Sequence, residues 1–346
     1  MEKKPFYLNT PIKLAESEMI RVRGRHSVID GCLAFDWTNS GFSFVFVGTG
    51  FIISLGSYVA DSPAYVRITV DGNKTQRFAV TNGNEKLIIE GLTDKRHRVD
   101  VLKVTEGDIQ LKFDTLTLLG NGATLRKPPL NSPRRIEFIG DSITCGYGVL
   151  GLSTDPTFFT YQQDGTYSYA YLTAEKFGAD ARFIAISGKG IVCNCNGDRT
   201  DVKGGQYYQY LTRKGGVCDD GWVADVVVIN LGTNDSGGPA PDDEFSLAAK
   251  DLVSKVRARY PEAQIIWMYG LMSNLYAEIL RKTVREINKT DKKVHFLFAE
   301  SIFGNETEIG ANGHPNVRAS IRASALLYKK IRAVTGWRNK VNVDEE

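Results

Sequence analysis

Ser142 stands in Gly140-Asp141-Ser142-Ile143-Thr144, directly after Ile136-Glu137-Phe138-Ile139 and before the glycine-rich turn Cys145-Gly146-Tyr147-Gly148. A strand ending in Gly-Asp-Ser delivers a hydroxyl to the carboxyl edge of a parallel sheet, where open α/β folds build their sites. Serine alone is a poor nucleophile, so it needs a base and an oxyanion site. The chain has four histidines. His26 and His97 fall in β-like surroundings, and His295 sits inside the apolar run 294–298. His314 lies in the polar loop Gly310-Ala311-Asn312-Gly313-His314-Pro315-Asn316. Pro315 suits the first position of a helix, which puts His314 beside the helix start. A histidine there is the natural base for Ser142. The competing readings are a helix cap for Ser142 and a solvated loop residue for His314.

Oxyanion donors are expected from two further strand ends. The run Asp225-Val226-Val227-Val228-Ile229-Asn230-Leu231 reads as a buried strand and closes on Gly232-Thr233-Asn234-Asp235. A parallel strand would bring Asn234 to the same edge as Ser142, where its amide can donate to a developing oxyanion. Phe183-Ile184-Ala185-Ile186 runs into Ser187-Gly188-Lys189-Gly190, and a glycine there allows close approach of a main-chain N–H. A dinucleotide fingerprint starting at Gly188 fails, because Cys193 occupies the place of the third glycine. No phosphate-binding Walker loop occurs. Asp141 and Asp235 are expected to support the site or order its loops rather than to carry protons.

The elements that must position these residues divide into two halves. Residues 1–125 read as all-β: Phe42, Phe44 and Phe46 alternate, as do Val66, Ile68 and Val70 before the turn Asp71-Gly72. Further period-two runs occupy 51–55, 77–80, 87–89, 97–104 and 109–119, the pattern of a sandwich or jelly roll. The stretch 121–129, with Pro128 and Pro129, fits a junction. Residues 126–346 alternate strands and helices, which implies a doubly wound parallel sheet in a three-layer α/β domain. Short apolar runs begin near Ile136, Phe183, Val226, Ile265 and Val294. Helical spacing follows from about Asp242 and again from Val317 to Ile331.

The four blocks GDSIT, SGKG, GTND and NGHPN, carrying Ser142, Gly188, Asn234 and His314, resemble the SGNH (GDSL) hydrolase superfamily in order and spacing. Thr144 breaks a G-x-S-x-G elbow, which argues against the ordinary α/β-hydrolase arrangement. With a β domain ahead of the blocks, the chain resembles the family 2 carbohydrate esterases. GDSITCGYG from Gly140, ISGKGI from Ile186, LGTND from Leu231 and the HRVDVLKVTEG stretch from His97 carry that likeness.

The resemblance implies a jelly-roll domain beside an SGNH domain, and hydrolysis of O-acetyl esters on xylan- or glucomannan-type carbohydrates. It also implies that Ser142 attacks, that His314 is the base, and that N–H groups of Ser142 and Gly188 join Asn234 in the oxyanion hole. The chain departs from the superfamily at Ala311, where an aspartate usually precedes the histidine. Two orienting groups remain open for His314: the Asn312 side chain, as in Cys-His-Asn sites, or a main-chain carbonyl that leaves a Ser142–His314 dyad. The tryptophan usual before that histidine is absent too. Tyr147, Phe158, Phe159, Tyr161 and Trp222 are the aromatics that could replace it, though each is first of all a packing residue.

Composition limits the alternatives. At 346 residues and 42% hydrophobic, the chain can bury the cores of two domains. A net charge of +3 suggests neither a nucleic-acid nor an acidic-membrane partner, and no apolar run reaches membrane-spanning length. The start Met1-Glu2-Lys3-Lys4-Pro5 lacks a signal-peptide core. The expectation is a cytoplasmic protein, or a secreted or periplasmic one whose signal has been removed. The five cysteines form neither a disulfide framework nor a zinc pattern; Cys193-Asn194-Cys195 is at most half a metal site. No metal and no cofactor are expected. The partner is an acetylated carbohydrate, and the oligomeric state is open. The rival readings are a lipid or thioester hydrolase of the same superfamily and a non-catalytic glycan-binding protein.

Overall fold

The computed structural model describes residues 9–56, 59–82, 85–106, 110–128 and 132–339. The chain divides into two compact units, 1–130 and 131–346.

The first unit contains two antiparallel sheets. One runs in the order Ser27–Ile29, Cys32–Phe35, Leu111–Leu119, Gly50–Leu55, Lys86–Ile89, with Ile12–Lys13 also pairing on Leu111–Leu119. The other runs Thr124–Arg126, Ser40–Gly48, Lys95–Lys103, Val59–Val70, Asn73–Asn82, with Arg21–Arg23 pairing on Ser40–Gly48. The phenylalanine alternation explains how they join. Phe44 meets Phe51 of the opposite sheet edge-on at 5.2 Å, and Phe42 meets Phe113 at 5.3 Å. Asp71 and Gly72 take φ of 51° and 79°, the left-handed pair that a two-residue hairpin between Val70 and Asn73 requires. His97 is buried, with Nδ1 2.8 Å from Asp71 Oδ2 and Nε2 2.7 Å from the Thr93 carbonyl. It serves this hairpin rather than any chemistry.

The stretch 121–129 contains a strand. Thr124–Arg126 is a strand, paired with Ser40–Gly48 through Leu125↔Phe46, so the chain stays in the first unit past residue 125. The ladder stops before Pro128, which has no N–H to donate. Pro129, Ile109 and the first eight residues lie outside the described positions.

In the second unit five parallel strands follow one another: β1 (Arg135–Gly140), β2 (Asp180–Ala185), β3 (Val226–Asn230), β4 (Gln264–Gly270) and β5 (Val294–Ala299). Their order across the sheet is β2-β1-β3-β4-β5. Both faces are covered, so the strands read as near-continuous apolar runs. Ile136, Phe138, Phe183, Val226, Val228, Ile266 and Met268 form one face. Helices α1 (Tyr169–Phe177) and α2 (Val317–Thr335) pack on it through Ala170, Phe177, Ala323 and Leu327. The helix expected from Asp242 is α3 (Asp242–Arg259), which packs against α4 (Ala277–Ile287). His295 lies on β5 and bonds Gln264 at 2.8 Å, a strand-pairing role.

Strand order reverses beside β1: the chain leaves β1 for β2 on one side and comes back to β3 on the other. Open sheets bind ligands at the carboxyl ends of the strands flanking such a reversal. Ser142 follows β1, Gly188 follows β2 and Asn234 follows β3.

Candidate active site

The turn after β1 is built to present Ser142. A Cβ on Gly140 would lie 2.0 Å from Thr144 Oγ1, so only glycine lets the chain turn this tightly. Asp141 caps the short helix Ser142–Cys145, its Oδ1 accepting from the Ile143 N–H at 3.0 Å. Gly146, at φ 73°, ends that helix.

His314 arrives from the far end of the sheet. Asn316 caps α2, accepting from the N–H groups of Arg318 and Ala319 at 2.9 and 3.2 Å. The helix therefore begins at Val317, and Pro315 lies before the cap rather than at the expected first helical position. Asparagine satisfies two N–H groups that proline would leave open. Pro315 instead sits in a bridge to Ile309.

His314 Nε2 is 2.9 Å from Ser142 Oγ, and His314 Nδ1 is 2.9 Å from the main-chain oxygen of Asn312. A carbonyl only accepts, so Nδ1 carries the proton and Nε2 is left to accept from the serine hydroxyl. Of the two orienting groups open at the sequence level, the geometry has the backbone carbonyl. The Asn312 amide Nδ2 points instead at the Tyr147 hydroxyl, 3.4 Å away. Asn312 takes φ 50°, and its N–H donates to the Asp155 carbonyl at 2.8 Å. These two constraints turn its own carbonyl towards the imidazole.

The same loop accounts for the missing aspartate. Ala311 is fully buried and its N–H donates to the Gly148 carbonyl at 3.0 Å. A Cβ on Gly148 would lie 2.5 Å from the Ala311 oxygen, and one on Gly151 would lie 2.4 Å from the Ala311 Cβ. Two glycines without side chains thus lie against the buried alanine that stands in the aspartate's place.

The Gly188 turn carries φ 77° and its oxygen accepts from the Cys195 N–H at 2.9 Å. Asn234 opens a short 3-10 turn, Asn234–Gly237. Its Nδ2 donates to Asp141 Oδ2 at 3.1 Å and to the Lys189 carbonyl at 3.0 Å. The amide is thus tied both to the residue before Ser142 and to the residue after Gly188. Asp235 is fully buried and receives the N–H groups of Ile191, Val192 and Cys193 at 2.7–3.2 Å. Burial raises its pKa above the usual carboxylate value, and these three donors pull the other way. Gly190 lets this loop close on it, since a Cβ there would meet Asp235 Oδ2 at 2.4 Å. Asp141 and Asp235 therefore hold the loops that carry the other site residues.

Sequence reasoning missed Asp155 and Gln162. Asp155 Oδ2 accepts from Leu152 N and Gln162 Nε2, and Gln162 Oε1 accepts from Phe159 N, so the loop that meets Asn312 is closed on itself. Nothing in their spacing announces a site; only the tertiary approach of the two loops does. Among the aromatics, Phe158 stacks on Tyr147 at 3.6 Å between centroids, and Tyr147 lies 4.4 Å from the His314 ring. Phe159 and Tyr161 stack at 5.6 Å and are exposed. Trp222 is a packing residue: its Nε1 donates to Asp180 and the Arg182 guanidinium lies 4.3 Å over its ring. Among the described residues no three His, Cys, Asp or Glu side chains converge as a metal site. No helix among them is long and apolar enough to cross a membrane.

Residues 138–318 match the GDSL-like lipase/acylhydrolase family, and residues 22–129 match the carbohydrate esterase 2 N-terminal domain. The cellulase/esterase CelE of Acetivibrio thermocellus is 34% identical over 318 residues, covering 87% of this chain and 38% of that protein. This chain therefore spans well under half of that relative. An acetylxylan esterase/glucomannan deacetylase of Cellvibrio japonicus is 22% identical, covering 93% of this chain and 91% of its own length. Among solved structures, a family two carbohydrate esterase from Clostridium thermocellum in complex with cellohexaose superimposes with a TM-score of 0.86. It is 31% identical and covers 92% of this chain and 100% of its own.

Proposed function

The chain belongs to the GDSL-like lipase/acylhydrolase family and, within it, to the family 2 carbohydrate esterases, and from that premise we propose that it removes O-acetyl groups from xylan- or glucomannan-type carbohydrates. The observation that carries this reading is the alignment of Ser142 Oγ, His314 Nε2, His314 Nδ1–H and the Asn312 carbonyl, each gap 2.9 Å.

Ser142 Oγ attacks the acetyl carbonyl carbon while His314 Nε2 takes the hydroxyl proton. The carbonyl oxygen becomes an oxyanion, held by the N–H groups of Ser142 and Gly188 and by the Asn234 amide. Asn234 Nδ2 shares its donors between that oxyanion and its present acceptors, Asp141 and Lys189. Collapse breaks the bond to the sugar oxygen, which takes the proton from His314, and the acetyl group stays on Ser142. Water then attacks the acetyl-serine and gives a proton to His314. Acetic acid leaves and loses its proton to the solvent, and the proton on His314 returns to Ser142. The dipole of the Asn312 carbonyl steadies the imidazolium in both steps, more weakly than a carboxylate would.

The N-terminal sandwich is assigned to the jelly-roll class, supported by successive strands that cross repeatedly between its two sheets. A polymeric acetylated substrate supports action outside the cytoplasm. Acetate release from acetylated xylan, acetylated glucomannan and an aryl acetate, with Ser142→Ala as control, tests the reading. Ser142→Ala is expected to fold and to lose at least about a thousandfold in turnover. Full activity in that variant removes Ser142 as nucleophile. The lipid and thioester alternative predicts rates that rise with acyl-chain length. The absent carboxylate favours a second reading, glycan binding without catalysis, which predicts retention on the polysaccharide with no acetate released.

A further inference from the structure

We infer that Tyr147 is a positioning residue for the base, its ring forming the wall that holds the His314 imidazole in the plane Ser142 requires. The inference rests on the esterase reading above.

The two hydrogen bonds of the imidazole leave one motion open. Both bonds lie in the ring plane, at Nε2 and at Nδ1, so the ring can still roll about the line joining its partners. An acceptor at Nδ1, charged or neutral, lies in that same plane and leaves the roll open. Something must press on the face of the ring instead.

Tyr147 does so at 4.4 Å between centroids, with the planes 41° apart. It is unusually well held for a half-buried residue. Phe158 stacks at 3.6 Å, nearly parallel at 20°, which fills one face of Tyr147 and leaves the other for the imidazole. The Tyr147 hydroxyl accepts from Asn312 Nδ2, and the Tyr147 N–H donates to the Ser142 carbonyl at 3.1 Å. Its main chain is thus fixed to the nucleophile while its side chain is fixed to the base. The electron-rich face of the ring also favours the imidazolium that forms when Nε2 takes the serine proton.

A tyrosine beside a sugar-ester site has an obvious other use, as a surface on which the sugar lies. The two roles separate on a substrate without sugar. A positioning ring acts on the chemical step with any acetyl ester, whereas a sugar wall acts on affinity for the carbohydrate alone.

The experiment is steady-state kinetics of Tyr147→Leu and Tyr147→Phe on p-nitrophenyl acetate and on acetylated xylo-oligosaccharides, with thermal midpoints measured alongside. Tyr147→Leu is expected to lower kcat about tenfold on both substrates with KM within about twofold, the scale of a misaligned catalytic group. Tyr147→Phe keeps the ring and is expected to retain at least about half of kcat. Tyr147→Met, which fills the space without a flat face, is read in the same way if the leucine variant does not fold. An unchanged kcat on the aryl acetate, or a rise in KM confined to the oligosaccharide, overturns the inference. So does a phenylalanine variant as slow as the leucine one, which would move the role to the hydroxyl. Wild-type protein inert towards both esters overturns the esterase reading and this inference with it. An active wild type with an unaffected Tyr147→Leu overturns this inference alone.

Discussion

Ala311 and Gly151 meet so closely that a Cβ on the glycine would lie 2.4 Å from the alanine Cβ. This contact lies three residues before His314, where Ala311 is fully buried. Restoring the superfamily aspartate by Ala311→Asp is therefore expected to harm the protein. Overpacking costs about 1–3 kcal/mol and an unpaired buried carboxylate adds more. A thermal midpoint at or above wild type, together with a faster reaction, would show that the site has room after all.

Asn312 faces His314 with its carbonyl and Tyr147 with its amide. Asn312→Ala is expected to leave turnover within about threefold, under 1 kcal/mol of barrier. It should cost about 1 kcal/mol of stability, because alanine at φ 50° is strained. Asn312→Gly should recover the stability. A tenfold or larger loss of kcat in the alanine variant at normal stability would return the orienting role to the side chain.

Asn234→Ala is expected to lower turnover about a hundred- to a thousandfold through loss of an oxyanion donor. Asn234→Asp should be at least as damaging, since it sets a second carboxylate against Asp141, now 3.1 Å from the amide. The charge on the oxyanion develops only in the transition state, so kcat should carry the loss. A change confined to KM would make Asn234 a substrate-binding residue.

Asp235→Asn turns an amide group towards three main-chain N–H donors that now face a carboxylate. The asparagine oxygen can still accept from Val192 and Cys193, so the variant is expected to lose about 1–3 kcal/mol, the cost of setting Nδ2 against the buried Ile191 N–H. Turnover should fall as well, because the same loop follows Gly188. Urea denaturation with parallel rate measurements checks both. Unchanged stability would mean that the loop finds other acceptors.

Much of this was legible in the chain. Four of the five parallel strands start within one residue of an apolar run, because strands buried on both faces cannot hide their composition; β2 starts three residues before Phe183. Helix α3 starts at Asp242 as its spacing indicates. The approach of His314 to Ser142 was legible because their blocks stand at a strand end and in a loop. What orients His314 was not, since a carbonyl has no residue type and its direction depends on Asp155, reached only through folding. The tight fit of Gly148, Gly151 and Ala311 was equally hidden: glycine in a sequence does not say what approaches it. Pro315 misled for a local reason, that Asn316 next to it is the better cap.

A base steadied by the peptide backbone has a genetic consequence. Every residue type carries the same carbonyl, so no codon change at position 312 deletes the acceptor that faces His314. Alanine scanning there reads the strain of φ 50°, not the loss of an acceptor. The group can be removed only chemically, by an amide-to-ester replacement of the 312–313 linkage that weakens the acceptor, or indirectly by mutations that redirect the loop. The acceptor that faces His314 is inherited through the path of the main chain.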